Sequence, residues 1–401
     1  MNTITNKEKI DQVLERGVSE VIGTDHLSKR LQSGEVLRIK LGIDPTSPDL
    51  HLGRAVPLLK LRDFQELGHQ IIFLVGNATG VIGDTSDKES ERPMLTHEDV
   101  KANMESYIKQ AGKIIDIEKT EIVYNADWLD KLGYKEIGHH ADAFSLHEFI
   151  QRDNIKKRLD AGKRVSLREL LYPLMQGYDS VAVRADVELG GTDQRFNLLA
   201  GRVLQEQAGQ EPQDIIMGNL ILGTDGRKMS SSWGNTIKLT DAARDMGEKI
   251  MNMPDDIVPI YFENCTRVPQ AEVDTILAQD DQRLQKVALA KAVIELYHSS
   301  KVAQAEADFL KEKFIDKNDS ALDVLNIHPD QPLIDFIFLA GAAKSKSDAR
   351  RMIEQGGVTI RDEKGKMKPH IYHVFSSEDH GKTLQVGKKF IVNLNFTLST
   401  D

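Results

Sequence analysis

The stretch Leu37 to Leu61, LRIKLGIDPTSPDLHLGRAVPLLKL, limits what this chain can fold into more than any other. Leu37, Ile39, Leu41 and Ile43 alternate with Arg38, Lys40 and Gly42, the period-two signature of a strand. Asp44-Pro45-Thr46-Ser47-Pro48-Asp49 then ends any regular element, because its two prolines fix φ and remove donors. Beyond His51-Leu52-Gly53-Arg54, positions Leu52, Val56 and Leu59 fall at helical spacing, and the apolar run Ile71 to Val75 after Gly68 reads as a fully buried strand. The result is a βαβ unit with His51 and Gly53 at the start of its helix, where outward-facing backbone N–H groups favour an anion.

A length of 401 residues predicts two or three domains, and 40% hydrophobic residues suffice for sizeable cores. No apolar run is long enough to span a membrane, and the polar start MNTITNKEKIDQVLERG lacks the apolar segment of a signal peptide. The single cysteine, Cys265, excludes an intrachain disulfide and a Cys-rich zinc site and is expected to be a buried small hydrophobe. These features predict a cytoplasmic protein with neither membrane nor DNA as partner. The net charge of −10 argues against nucleic acid, but its distribution qualifies that: Gln331 to Asp401 holds 11 lysines and arginines against 8 acids. A slightly basic tail on an acidic body suggests that the tail meets a polyanion.

Short helices are expected over Lys7–Gly17 and Gly23–Gln32. After the βαβ unit, Gly76 to Asp84 (GNATGVIGD) is either a plain turn or a backbone that lets a ligand approach, at the strand end where open α/β sheets bind ligands. Lys88 and Arg92 follow, in a solvated charge run or a loop that grips phosphates. Thr96 caps a helix expected to reach Ile117, and Ile122–Tyr124 is a strand ending at Asn125-Ala126-Asp127-Trp128. Tyr134–Leu159 reads as helical. Its His139, His140 and His147 have no carboxylate or cysteine at ligand spacing, so no metal site is expected.

Ser166 to Ala182 reads as an amphipathic helix in which Pro173 and Gly177 suggest a kink. Tyr172, Gln176 and Asp179 fall on one face, and with Leu171, Leu174, Met175 and Tyr178 crowding the other sides this polar stripe reads as a pocket lining. Asp186–Leu189 is a strand. Gly190-Gly191-Thr192-Asp193-Gln194 then enters a helix, with Thr192 and Asp193 as cap types, or lets a ribose or amino acid come close. Ile215–Ile221 is the last strand of the sheet, followed by a loop, Gly223 to Ser232, carrying Arg227, Lys228 and three serines. From Leu239 to about Asp319 the pattern is helical. Asn326–Gln331 reads as a linker, Pro332–Ile353 as helix, Val358–Arg361 as strand, Asp362–Gly365 as turn and Gln385–Leu398 as a final strand pair.

The helix start at His51, the glycine loop with Lys88 and Arg92, and the Lys228 loop all belong at one edge of a parallel sheet, which could hold a triphosphate. No GxxxxGK[ST] or GxGxxG exists in the chain. A carboxylate bound beside an activated phosphate would attack through positioning, with preorganised donors stabilising the charge that develops.

HLGR and KMSSS resemble the HIGH and KMSKS motifs of class I aminoacyl-tRNA synthetases. GIDPTSPDLHLG, NATGVIGD, LLYPLMQGYDS and LGGTDQRFN resemble the corresponding blocks of bacterial tyrosyl-tRNA synthetases, and PLIDFIFLAGAAKSKSDARRMIEQGGVTI resembles their terminal S4 RNA-binding domain. The resemblance covers essentially the whole chain. It implies an α/β fold: a Rossmann-like parallel-sheet catalytic domain (1–236, with a helical insertion at about 129–165), an α-helical anticodon-stem-binding domain (237–325) and a small α+β S4-like domain (331–401). It implies a homodimer that joins L-tyrosine to tRNA(Tyr) using ATP with Mg2+ and holds no tightly bound metal.

By the same resemblance His51, Lys228, Lys88, Arg92, Thr46 and Arg54 serve catalysis at the phosphates. Asp44, Gly53, Gly191, Asp193, Met229 and Ser230 hold ATP, with Asp193 on the ribose. Lys40, Gly42, Asp84, Thr79, Asn125, Tyr172, Gln176, Asp179 and Gln194 form the tyrosine site, with Asp179 on the phenol and Asp84, Tyr172 and Gln176 on the amine. Three positions depart from the pattern. Arg54 replaces the second motif histidine, Ser231 replaces the second motif lysine, and Lys40 stands where some members place a tyrosine. Alternatives are a tryptophan-specific enzyme and a non-catalytic RNA-binding relative.

Overall fold

The computed structural model describes residues 3–84, 96–316, 323–328, 331–361, 367–369, 374–387 and 390–397, which form two compact units, Met1–Ala303 and Gln304–Asp401. In the first, α1 (Lys7–Glu15) leads to β1 (Val18–Ile22), and α2 (Thr24–Ser33) to β2 (Arg38–Ile43). The helix α3 (Leu52–Glu66) crosses to β3 (Gln70–Val75), where Ile71 to Val75 are all buried, as a strand covered on both faces requires. The helices α4 (Thr79–Ile82) and α5 (His97–Ala111) lead to β4 (Thr120–Tyr124). A helical excursion follows: α6 (Ala126–Leu129), α7 (Tyr134–Asp142), α8 (Leu146–Ile150), α9 (Asp153–Asp160) and α10 (Leu167–Val183). The chain returns through β5 (Val187–Gly191) and α11 (Arg195–Gln207) to β6 (Asp214–Gly218).

The sheet order is β1-β6-β5-β2-β3-β4, parallel throughout except for β1, which pairs antiparallel with β6. That edge strand has no counterpart in the sequence reading. Its five residues, VSEVI, are mostly half-buried, and β6 supplies the ladder that makes them a strand. The expected helix over 134–159 is three short helices. The break falls where Ser145 caps α8, its side chain taking the His147 N–H while Glu148 accepts from the Ser145 N–H. The helix α10 runs continuously through Pro173, and Gly177 lets α11 approach, since a Cβ there would sit 3.0 Å from the Ala200 backbone. The helix from Thr96 ends at Ala111 rather than Ile117, and the strand from 214 ends at Gly218. A run of helices completes this unit: α12 (Ala243–Asn252), α13 (Val258–Cys265), α14 (Gln270–Leu277) and α15 (Gln282–Tyr297), with Cys265 buried. No helix among the described residues is long and apolar enough to cross a membrane.

The helix α16 (Ser300–Lys311) carries the chain into the second unit, a five-stranded sheet with two helices. The expected linker is in part β7 (Asp323–Ile327), which pairs in parallel with the last strand and buries Ile327; the partner strand lies about 70 residues further along the chain. The expected continuous helix is α17 (Leu333–Leu339) and α18 (Lys346–Glu354), separated at Gly341 (φ +74°), with Ser345 capping the second. The strands β8 (Val358–Arg361), β9 (Met367–Pro369), β10 (Thr383–Val386) and β11 (Phe390–Phe396) close the sheet in the order β7-β11-β10-β8-β9. Leu333, Phe336, Ile337, Phe375 and Leu384 lie in its core. The expected turn at Asp362–Gly365 lies outside the described residues.

At the centre of the first sheet, Lys40 of β2 and Glu188 of β5 are register partners, and their side chains form a 2.9 Å ion pair with each about 1% exposed. Lys40 also donates to Ser180 Oγ (2.8 Å) and to the Gln176 carbonyl (3.2 Å) of α10. Replacing Lys40 by Met would strand the Glu188 charge and is expected to cost about 3–5 kcal/mol in urea denaturation. Lys40→Met combined with Glu188→Gln should recover more than half of that loss, and equal losses in the single and double variants would show that the pair is not coupled.

Candidate active site

A crevice opens at the carboxyl ends of β2 and β5. Strand order reverses there, with β3 and β4 lying to one side of β2 and β5 and β6 to the other, so the connections leave in opposite directions. It holds about 680 Å³. Of the residues singled out in the sequence, Lys40, Gly42, Asp44, Thr46, His51, Gly53, Arg54, Thr79, Asp84, Tyr172, Gln176, Asp179, Gly191, Asp193, Gln194, Lys228, Met229 and Ser230 line it. Asn125 lies fully buried and is not among the lining residues. Lys88 and Arg92 fall outside the described residues.

The helix α10 presents Tyr172, Gln176 and Asp179 to this crevice, and seven residues of helix separate the first from the last by about 10 Å. Asp179 is buried, and its carboxylate accepts from Trp128 Nε1 (2.8 Å) and Asn125 Nδ2 (3.1 Å). Burial pushes its pKa up to about 7, against the opposing pull of Lys40 and of those two donors. A carboxylate with about four lone-pair sites still has room for a hydroxyl donor. At the other end Tyr172 donates to Asp44 Oδ2 and Thr79 to Asp44 Oδ1, both at 2.7 Å, while Gln194 Nε2 donates to Asp84 Oδ2 at 2.7 Å. Asn125 ties the two ends together, its amide also donating to Thr79 Oγ1 at 2.9 Å. Carboxylates that already accept from neutral donors suit an incoming ammonium group.

The outer part of the crevice is the start of α3. His51 precedes the helix and is mostly buried, and its Nδ1 has no hydrogen-bond partner among the described residues. Burial, with the nearby Arg54 charge, lowers its pKa to about 4, so the ring is neutral at neutral pH. The Gly53 N–H meets the Met229 sulfur, at 3.3 Å, a weak acceptor. Across from it Lys228 Nζ lies 3.2 Å from Asp193 Oδ2. Asp193 does not cap its helix as its residue type allowed. Gly191 stands at the cap position of a single turn, Thr192–Gln194, and the Asp193 carboxylate turns to Lys228 instead. Asn235 shapes the Lys228 loop, accepting from the Ser230 N–H (2.8 Å) and donating to the Lys228 carbonyl (3.1 Å).

Glu188, Trp128, Tyr107 and Asn235 were not anticipated. A signal existed for two of them. A lysine inside an apolar central strand demands a buried carboxylate, and Trp128 closes the Asn-Ala-Asp-Trp segment at a strand end. Tyr107 and Asn235 reach the site only through tertiary contacts. Among the described residues no group of His, Cys, Asp or Glu could hold a metal ion.

The sequence model of the class I tRNA synthetases (W and Y) matches residues 32–314. A tyrosine–tRNA ligase of Dehalococcoides mccartyi is 42% identical over 370 residues, covering 90% of this chain and 93% of the relative. Tyrosine–tRNA ligase 2 of Vibrio cholerae is 42% identical over 361 residues, covering 88% and 90%. Among solved structures, a C-terminally truncated mitochondrial tyrosyl-tRNA synthetase of Aspergillus nidulans has the same fold over 76% of this chain and 94% of its own (TM-score 0.64, 24% identity). So does a tyrosyl-tRNA synthetase of Archaeoglobus fulgidus complexed with L-tyrosine, over 75% and 99% (TM-score 0.58, 22% identity).

The raised Asp179 pKa sets a sign for stability. In the unfolded chain the carboxyl ionises near about 4, and in the fold near about 7. Holding it ionised therefore costs stability that is absent at low pH, grows through this window and is complete above it. Asp179→Asn removes that cost, so its stability relative to the parent should rise from about pH 4 to about pH 7 in urea denaturation. A pH-independent difference would mean that this carboxyl is not the one held neutral by burial.

Proposed function

This chain belongs to the class I tRNA synthetases of the tryptophan and tyrosine group and is a tyrosine–tRNA ligase, and from that premise we propose how its crevice divides the work. Its substrates are tyrosine, ATP and tRNA. The tyrosine carboxylate attacks the ATP α-phosphate, giving tyrosyl-adenylate and pyrophosphate. A hydroxyl at the 3′ end of tRNA(Tyr) then attacks the activated carbonyl and AMP leaves.

The observation that carries the tyrosine reading is the buried Asp179 carboxylate at the closed end of the α10 stripe. It accepts the phenol proton, while Asp84, Tyr172 and Gln176 receive the amine about two helical turns away and Gln194 flanks the carboxylate. Lys40, Gly42, Thr79 and Asn125 shape the slot between. Phenylalanine would leave the buried Asp179 unmatched, and tryptophan presents its N–H elsewhere. Discrimination against phenylalanine on the order of 10⁵ is a known property of this family rather than a value derived from the geometry.

At the phosphates, the neutral His51 ring and the start of α3 stabilise charge developing at the α-phosphate, with Gly53 and Met229 beside the adenosine. Asp193 and Gly191 take the ribose, and Asp44 borders both substrates. Thr46, Arg54, Lys228 and Ser230 hold the β- and γ-phosphates, with Lys88 and Arg92 assisting pyrophosphate departure. Magnesium travels on the triphosphate as part of the substrate.

The remaining roles follow the same reading. Residues 1–236 carry catalysis, 237–325 contact the anticodon stem, and 331–401 form an S4-like RNA-binding domain with exposed Lys344, Lys346, Arg350 and Arg351. Tyr134, Leu146, Leu159, Leu167 and Leu171 are exposed apolar side chains gathered on α7 to α10, which supports a homodimer formed there. The protein works in the cytoplasm.

ATP–pyrophosphate exchange should proceed with tyrosine and not with tryptophan or phenylalanine. Exchange with tryptophan alone would move the specificity, and exchange with none of them would remove the enzymatic reading. Because Asp179 must be ionised to accept the phenol proton, kcat/KM for tyrosine should rise with pH through about 7 and lose that limb in Asp179→Asn. Removing residues 331–401 should spare exchange while weakening tRNA charging, whose salt sensitivity should fall with it.

A further inference from the structure

Arg54 lies in the first turn of α3, half-buried at the crevice, and its guanidinium is fixed from two sides. One terminal nitrogen donates to Thr46 Oγ1 at 2.8 Å; the other donates to the Tyr107 hydroxyl and reaches the Asp44 carbonyl at 3.5 Å. The guanidinium carbon lies 5.6 Å from the Tyr107 ring centroid. Tyr107, on α5, is about 1% exposed, and its hydroxyl is also 3.3 Å from Ser47 Oγ. The proline-bounded loop after β2 and a buried tyrosine on another helix thus set the position of this cation.

No carboxylate of the described residues forms an ion pair with Arg54. Its partners are neutral oxygens, so the charge is positioned but not neutralised. A guanidinium has five N–H donors, and these contacts leave some for a ligand. Because Thr46 accepts from Arg54, its own O–H proton remains available to a phosphate oxygen. Opposite, the Gly223–Ser232 loop brings Lys228 to Asp193, while Ser231, exposed at the crevice rim, brings no charge.

Resting on the ATP reading above, we propose that in this chain the second phosphate-gripping cation has moved from the Lys228 loop to the rigid start of α3. Arg54 grips the β/γ-phosphates there, and Tyr107 is the residue that positions it. A cation fixed before substrate arrives binds the ground-state triphosphate as well as the transition state, so its contribution falls mainly on ATP affinity. A cation on a loop can engage only as pyrophosphate separates, and its contribution falls on kcat.

The test is ATP–pyrophosphate exchange with tyrosine for the parent, Arg54→His, Tyr107→Phe, Ser231→Lys and Arg54→His/Ser231→Lys, with thermal melts confirming that each is folded. Arg54→His should raise the KM for ATP by about tenfold or more, and Tyr107→Phe by a few-fold to about tenfold, with the KM for tyrosine unchanged. A structural role for Tyr107 alone would lower the melting temperature without this split. Ser231→Lys should improve ATP use far more in the Arg54→His background than in the parent. Equal effects of Ser231→Lys in both backgrounds, or an unchanged ATP KM in Arg54→His or Tyr107→Phe, would overturn the proposal. If the parent shows no exchange with tyrosine, the ligase reading fails separately. Calorimetric titration of the same proteins with ATP then decides the Arg54 proposal: weaker binding in both single variants supports it, and unchanged binding overturns it.

Discussion

The buried ion pair between Lys40 and Glu188 organises the first unit. It joins register partners on β2 and β5, the two strands between which the sheet reverses direction, and so lies under the crevice that this reversal creates. Each remaining bonding position is filled from elsewhere. Ser180 and Gln176 of α10 bond to both residues of the pair, and Gln213 donates to Glu188 from just before β6. A pair this dry adds little net stability over an apolar substitute of the same shape, because desolvation consumes most of its Coulomb energy. Its effect is geometric: its bonds to Gln176 and Ser180 hold α10 against the sheet with Tyr172, Gln176 and Asp179 lining the crevice.

From that anchor the crevice acquires two chemically distinct ends. At the inner end a carboxylate is taken out of water and held by Trp128 and Asn125, so it can discriminate a partner that brings a proton from one that does not. The outer end gathers the start of α3, the Arg54 and Lys228 cations and a neutral imidazole. That division suits a reaction whose nucleophile is already ionised and whose transition state gains charge on phosphate oxygens.

The sequence carried more of this than its local patterns alone suggest. The βαβ unit, the Tyr172–Gln176–Asp179 stripe and the glycine-rich strand ends were legible because each is a short-range periodicity or a backbone requirement written in adjacent residues. The misreadings share one cause. The edge strand at Val18–Ile22 and the strand at Asp323–Ile327 exist because a distant segment offers hydrogen bonds. The part Gly177 plays in letting α11 approach likewise depends on a segment distant in sequence. The split at Ser145 was the exception, since Ser-Leu-His-Glu is a capping signature present in the sequence.

The sequence by itself determined the βαβ unit, the anion-binding helix start and the Tyr172–Gln176–Asp179 stripe, because periodicity and proline and glycine placement are properties of neighbouring residues, and its resemblance to a known family supplied most of the other residues that line the crevice. Only the tertiary structure decided what those residues do to one another. It paired Lys40 with Glu188, turned Asp193 from a helix cap to a partner of Lys228, and set Tyr107 against Arg54 from 53 positions away. It also raised the Asp179 pKa and lowered that of His51. Those are effects of burial and of distance between charges, and neither quantity exists until the chain has folded.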